Sequence, residues 1–128
     1  MTLTWTLWGI LLVVLIVLLF RRFKKPGFLT ELTQEEFIKG YRKAQLLDVR
    51  EPREYNGGHI LGARNLPLSQ LKQRINEIRE DQPVYLYCQS GARSRQAARI
   101  IRKKAGNSDI YQLKKGFKKW TGKIKQKK

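Results

Sequence analysis

One cysteine stands among the 128 residues, and its neighbours are not those of a core filler. It opens the run CQSGARS, residues 88–94, in which two polar side chains, a glycine, an arginine and a serine follow the thiol. A cysteine acts as a nucleophile through its thiolate, which needs an environment that favours negative charge. A short loop whose backbone N–H groups turn inward, followed by the positive end of a helix, supplies one. Gly91 gives such a loop its freedom to turn. Arg93 adds a permanent positive charge, directed to a bound substrate or to the loop itself. Ser94 stands where it could cap the helix that follows. The alternative is a small apolar residue ending a core strand, a common place for a free cysteine.

The elements around the loop favour the reactive reading. "VYLYC" (84–88) alternates apolar and aromatic residues without polar relief and reads as a central strand, so Cys88 falls at its carboxyl end. Ligands of open α/β sheets bind at that end. Residues 94–105 read as an amphipathic helix with Ala97, Ile100, Ile101 and Ala105 on one side and Gly106 as its stop. Upstream, "LTQEEF" (32–37) carries a capping box in Thr33 and Glu36, and Leu32 and Phe37 occupy the positions of a hydrophobic staple. "QLLDV" (45–49) and "DIYQL" (109–113) read as strands and "YNGGH" (55–59) as a turn. "LSQLKQRINEI" (68–78) has Leu68, Leu71, Ile75 and Ile78 at helical spacing. Strand and helix alternate, which predicts an α/β sandwich with a mainly parallel sheet.

The amino terminus is unlike the rest. Residues 3–20, "LTWTLWGILLVVLIVLLF", carry no charge and would span roughly 27 Å as a helix, close to the ~30 Å hydrocarbon thickness of a bilayer. Only Met1 and Thr2 precede the run, and no small-residue cleavage site follows it, which disfavours a signal peptide. A core helix would show a polar face, and here only Thr4, Thr6 and Gly9 are available. Trp5 and Trp8 lie near one end, and Arg21, Arg22, Lys24 and Lys25 follow the other. That asymmetry predicts a single-pass anchor in the cell membrane, with the amino terminus outside and the remaining chain in the cytoplasm. The expected organisation is an anchor over 1–20, a basic linker over 21–28, a folded domain over 29–122 and a Lys-rich tail over 123–128. All ten acidic residues lie between Glu31 and Asp109, whereas residues 114–128 hold eight lysines and no acid. These lysines and the juxtamembrane basic residues suit anionic lipid headgroups, and equally a solvated tail. No base-reading motif accompanies the charge, so no specific nucleic-acid partner is expected. One cysteine excludes an internal disulfide and gives no zinc-ligand set, consistent with a reducing compartment.

Three segments together resemble the rhodanese-like sulfurtransferase family. "CQSGARS" matches its active-site loop C-x-x-G-x-R-S at every fixed position. "LLDVREPREYNGGHILGARNLPL" (46–68) is similar to the segment D-V-R…E-Y…G-H-I-x-G-A-x-N-x-P, and "LKKGFKKW" (113–120) to the closing L-x-G-G…W. One departure is Lys115, where many members carry a glycine. The resemblance covers residues 29–122 and implies a three-layer α/β/α sandwich. It implies that Cys88 takes sulfur from a donor such as thiosulfate as a persulfide and passes it to a thiol or, in the test tube, to cyanide. The backbone and side chains of Gln89, Ser90, Gly91, Ala92, Arg93 and Ser94 would bind substrate, with no metal and no organic cofactor. Asp48, Arg50 and Glu54 would form a supporting polar network, and His59, the only histidine, would hold a loop. Gly57, Gly58, Gly62, Asn65 and Pro67 would serve local structure. Cysteine-dependent phosphatases of the same fold place five residues between cysteine and arginine. Here there are four, a shorter cradle better suited to sulfur. A tethered binding or regulatory module is the remaining class, and a low rate of sulfur transfer would favour it.

Overall fold

The computed structural model describes residues 2–23 and 27–126. The first element, α1 (Thr2–Phe23), is apolar on all sides as far as Phe20, and its large side chains from Leu3 to Phe20 are exposed. Among the described residues it is the one helix long and apolar enough to cross a membrane. Part of the basic linker expected over 21–28 lies outside the described residues, as do Lys24, Lys25, Lys127 and Lys128.

The remaining chain runs β1 (Leu29–Leu32), α2 (Gln34–Gly40), β2 (Gln45–Asp48), α3 (Pro52–Gly57), β3 (His59–Ile60) and β4 (Arg64–Asn65). It continues through β5 (Val84–Tyr87), α4 (Ala92–Lys104), β6 (Ile110–Leu113) and β7 (Ile124–Lys125). Five strands form one sheet in the order β1-β6-β5-β2-β4, and every pair in it is parallel. β5 is the middle strand, which is why its sequence is apolar and aromatic throughout. A second, two-stranded ribbon pairs β3 with β7 antiparallel, His59 opposite Lys125.

Side chains alternate between two cores, one on each face of the sheet. On one face Leu29, Leu47, Val49, Val84, Leu86, Cys88 and Ile110 pack under Ala97, Ala98 and Ile101 of α4. On the other, Leu46, Tyr87 and Leu113 meet Phe37 of α2, Tyr41, Ile60 and Ala63. The result is the three-layer α/β/α arrangement with a parallel sheet.

The capping box is formed at α2. Thr33 Oγ1 accepts from the Glu36 N–H at 3.3 Å, and the Thr33 N–H donates to Glu36 Oε1 at 3.2 Å. Gly106, at φ +81, ends α4 by donating to the Ile101 carbonyl at 3.1 Å.

Two expectations need correction. Residues 68–78 do not form an α-helix. They make two short 3₁₀ turns, Leu68–Gln70 and Ile75–Glu77, with Arg74 between them at φ −108, ψ 18. Leu71 and Ile78 still reach the core, because successive turns satisfy the same apolar spacing as one helix. The segment 55–59 is not a free turn either. Its first three residues belong to α3, which starts at Pro52 behind a Glu51–Glu54 capping box and ends at Gly58.

Candidate active site

Cys88 follows β5 directly, at the carboxyl edge of the sheet, and is 1% exposed. The next residues turn up from the strand, and Gly91, at φ +116, ψ −22, starts α4. A side-chain-bearing residue is strained in that region, so the glycine is a geometric requirement. The turn aims the Gly91 N–H at Cys88 Sγ, 2.9 Å away, and the Ser94 N–H follows at 3.4 Å. Both are donors from the opening of a helix, the part of the backbone best suited to hold a negative charge.

Ser94 does not cap α4. Gly91 takes the cap position three residues earlier, so Ser94 lies in the first turn, fully buried. Its hydroxyl faces inward, 2.7 Å from Gln112 Oε1, 2.9 Å from the Gly91 carbonyl and 3.6 Å from Cys88 Sγ.

Gln89 is half-buried, and Ser90 and Ala92 are exposed at the loop's outer side. Arg93 turns to Glu54 of α3, Nη1 to Oε1 at 2.6 Å and Nη2 to Oε2 at 2.9 Å. Both are about a third exposed. The Arg93 guanidinium, helped by the Glu51 N–H, holds the Glu54 carboxyl down at about 2 against the effect of its partial burial. Of the two uses foreseen for Arg93, this one ties the loop to α3.

The second ion pair is deeper. Asp48 and Arg50 are 0% and 3% exposed and share a bidentate contact, Nη2 to Oδ2 at 2.7 Å and Nε to Oδ1 at 3.0 Å. Arg50 also donates to the Gly58 carbonyl at 2.6 Å and to Gln89 Oε1 at 3.2 Å, and its guanidinium lies 4.3 Å from the centre of the Phe117 ring. It therefore links the end of β2, the end of α3 and the loop. His59 makes its contacts with α3 and β7. Its ring stacks on Tyr55 at 3.7 Å, its Nδ1 lies 2.8 Å from the Tyr55 carbonyl, and its backbone pairs with β7.

A further support comes from the segment 113–120, matched in the sequence to the closing motif but with no role there beside the loop. The segment after β6 crosses under the loop. The Phe117 N–H donates to the Cys88 carbonyl at 2.8 Å, and the Lys118 N–H donates to the Gln89 carbonyl at 3.2 Å. Gly116, at φ +70, makes this approach possible. A Cβ there would stand 2.5 Å from the Gln89 oxygen. The available signal was the lone glycine between lysines and an aromatic residue. Lys115 is also left-handed, at φ +69, which is why a glycine is at home there.

This arrangement can seat an anionic sulfur on the floor of a loop built from backbone donors. Among the described residues no cluster of metal-ligating side chains accompanies it.

Comparison with known proteins bears on the same residues. The family model for the rhodanese-like domain matches residues 33–123. YqhL of Bacillus subtilis (strain 168) is 71% identical over 97 residues, 76% of each chain. The thiosulfate sulfurtransferase GlpE of Shewanella oneidensis is 34% identical over 79 residues, 62% of this chain and 77% of its own. Among solved structures, a rhodanese-related protein from Thermoplasma volcanium superposes with a TM-score of 0.68. It is 23% identical, over 75% of this chain and 97% of that one, a likeness of fold.

Proposed function

Because the chain belongs to the rhodanese-like domain family, we propose that it is a membrane-anchored sulfurtransferase that carries sulfur as a Cys88 persulfide. The observation that supports this most directly is the pair of helix-opening N–H groups aimed at Cys88 Sγ, at 2.9 and 3.4 Å. The Cys88 thiolate attacks the outer sulfur of thiosulfate. A new S–S bond forms, the old one breaks, and sulfite leaves with its electron pair. The persulfide places its terminal sulfur roughly 2 Å beyond Sγ, further into the cradle of loop N–H groups from Gln89 to Ser94. An acceptor thiolate, or cyanide, then attacks that sulfur and releases the Cys88 thiolate. Asp48, Arg50, Glu54 and Arg93 keep the loop in shape, and no metal or organic cofactor takes part.

Residues 3–20 anchor the protein in the cell membrane. The basic residues after them keep the domain in the cytoplasm, where thiol acceptors stay reduced. The exposed lysines of the segment 114–125 then lie on a domain tethered near anionic headgroups.

The test is an intact-mass measurement on the full chain in detergent after incubation with thiosulfate. Gain of one sulfur atom, absent in Cys88→Ser and removed by cyanide, is the expected result. No gain from thiosulfate or from polysulfide would refute the mechanism. For the anchor, the full chain should stay with membranes after alkaline carbonate washing, and release would refute it.

A further inference from the structure

Behind Cys88 a polar chain runs from Ser94 through the buried Gln112 to Glu31. Gln112 lies inside β6 at 1% exposure, in register with Leu86 of β5 and so on the Cys88 face of the sheet. An apolar side chain would pack there without the desolvation that a buried amide suffers. Its Nε2 donates to Glu31 Oε1 at 2.9 Å, and Glu31 is its register partner on β1. Its Oε1 faces the Ser94 hydroxyl at 2.7 Å, and Ser94 Oγ lies 3.6 Å from Cys88 Sγ.

The direction of this chain follows from donor chemistry. A carboxylate only accepts, so Glu31 draws the Gln112 NH₂ toward itself and leaves Oε1 for Ser94. Ser94 has one proton and three neighbours able to take it: Gln112 Oε1 at 2.7 Å, the Gly91 carbonyl at 2.9 Å and, once ionised, the Cys88 sulfur. Gln112 is the nearest. The Cys88 thiol can then donate to Ser94, Ser94 to Gln112, and Gln112 to Glu31, every donor pointing the same way. When Cys88 loses its proton, the Ser94 oxygen faces the sulfur lone pair to lone pair.

We propose that Gln112, oriented by Glu31, is a positioning residue that keeps the Ser94 hydroxyl proton away from Cys88, so that the empty thiolate relies on backbone donors alone. This rests on Cys88 being the sulfur-carrying residue. The persulfide feels the arm less, because its charge sits one S–S bond further out, toward the loop N–H groups. The arm thus favours the sulfur-loaded anion over the empty one.

The charged and titratable groups whose contacts reach the loop or the polar chain behind Cys88 are Arg93 and Arg95 at the start of α4, Asp48 and Arg50 at the end of β2, Glu54 on α3, Tyr87 on β5, Lys118 below the loop and Glu31 on β1. Arg99, Arg102, Lys103 and Lys104 lie further along α4, Arg53 and Tyr55 on α3, and Tyr85 and Tyr111 on β5 and β6. All except Glu31 stay unchanged in the variants that follow.

As the only cysteine, Cys88 can be read directly by the pH dependence of iodoacetamide alkylation of the full chain in detergent. Gln112→Met keeps the volume but removes the strong acceptor, and should lower the alkylation midpoint by about half to one pH unit. Glu31→Gln, at a half-buried position, lets the Gln112 amide turn over and should shift the midpoint the same way by less. In a Ser94→Ala background the Gln112→Met shift should vanish, and the Glu31→Gln shift should shrink to what the lost charge alone gives. An unmoved midpoint in Gln112→Met, or a shift of equal size without Ser94, would overturn the proposal. Should Gln112→Met fail to fold, Glu31→Gln with and without Ser94 decides by the same criterion. Alkylation needs no sulfur donor. A chain that shows these shifts but takes up no sulfur would keep this inference and lose the sulfurtransferase reading.

Discussion

Replacing Gly116 with alanine is the smallest change that should reach Cys88 from outside its own loop. The new Cβ would stand 2.5 Å from the Gln89 oxygen, 2.7 Å from the Gln89 carbonyl carbon and 2.8 Å from the Cys88 oxygen. All three are backbone atoms, so no rotamer change relieves the overlap. Optimal non-bonded separation is about 3.5–4.0 Å, which means the two segments must part by roughly 1 Å. Two effects add. An L-residue at φ +70 costs roughly 1–2 kcal/mol, and overpacking against backbone roughly 1–3 kcal/mol more. A net loss of about 2–5 kcal/mol is expected. The same displacement stretches the Phe117-to-Cys88 and Lys118-to-Gln89 hydrogen bonds and moves the cradle relative to Sγ. Misplacements near 1 Å cost on the order of 100-fold in rate, so persulfide formation should slow about 10- to 100-fold. Urea unfolding gives the stability, and single-turnover mass measurement with thiosulfate gives the rate. An unchanged rate in a chain destabilised by the full amount would refute the link. Gly116 would then hold the fold together without holding the loop.

At the adjacent position the sign reverses. Lys115→Gly should stabilise the domain by about 0.5–1 kcal/mol in urea, the strain relieved at φ +69 less the entropy of an added glycine. The Glu54 carboxyl, held at about 2 in the folded chain against an ordinary 4.5, contributes stability that is complete above the ordinary carboxylate range. That contribution disappears as pH falls through about 2. With a third of each partner exposed, screening reduces it to about 1 kcal/mol, and Glu54→Gln should remove this acid-dependent part of the unfolding curve. Asp48→Ala would strand the Arg50 charge at 3% exposure and should cost about 3–5 kcal/mol in chemical denaturation. A loss below about 1 kcal/mol would show that water or Gln89 replaces the carboxylate.

The parts legible in the sequence are those fixed by local chemistry. β5 followed from an unbroken apolar run, α4 from its apolar stripe, and the Thr33–Glu36 box from residue types three apart. The loop was legible for the same reason, since cysteine, glycine and arginine lie within six consecutive residues. Other features depend on contacts between distant segments. Helical spacing from Leu68 to Ile78 could not separate one α-helix from two 3₁₀ turns, because both turn the same residues inward. β3 and β7 are two residues each, too short for any period, and their pairing joins residues more than sixty apart. Ser94 was read as a cap because serine favours that position. A left-handed Gly91 had already taken it. Gln112 gave no signal at all, because a polar residue in a strand ordinarily faces solvent, and only the register with Glu31 and the position of α4 bury it.

The solitary, buried Cys88 has a kinetic consequence. With no second thiol in the chain, a bound sulfur cannot migrate within the protein or be displaced by an internal disulfide. On the proposed mechanism each chain would be a carrier with one slot, and at 1% exposure that slot would open to one visitor at a time. Donor and acceptor must therefore alternate, with the first product gone before the second substrate enters. Steady-state turnover should follow a ping-pong scheme, with parallel double-reciprocal plots and inhibition by excess acceptor that competes with the donor for the empty thiolate.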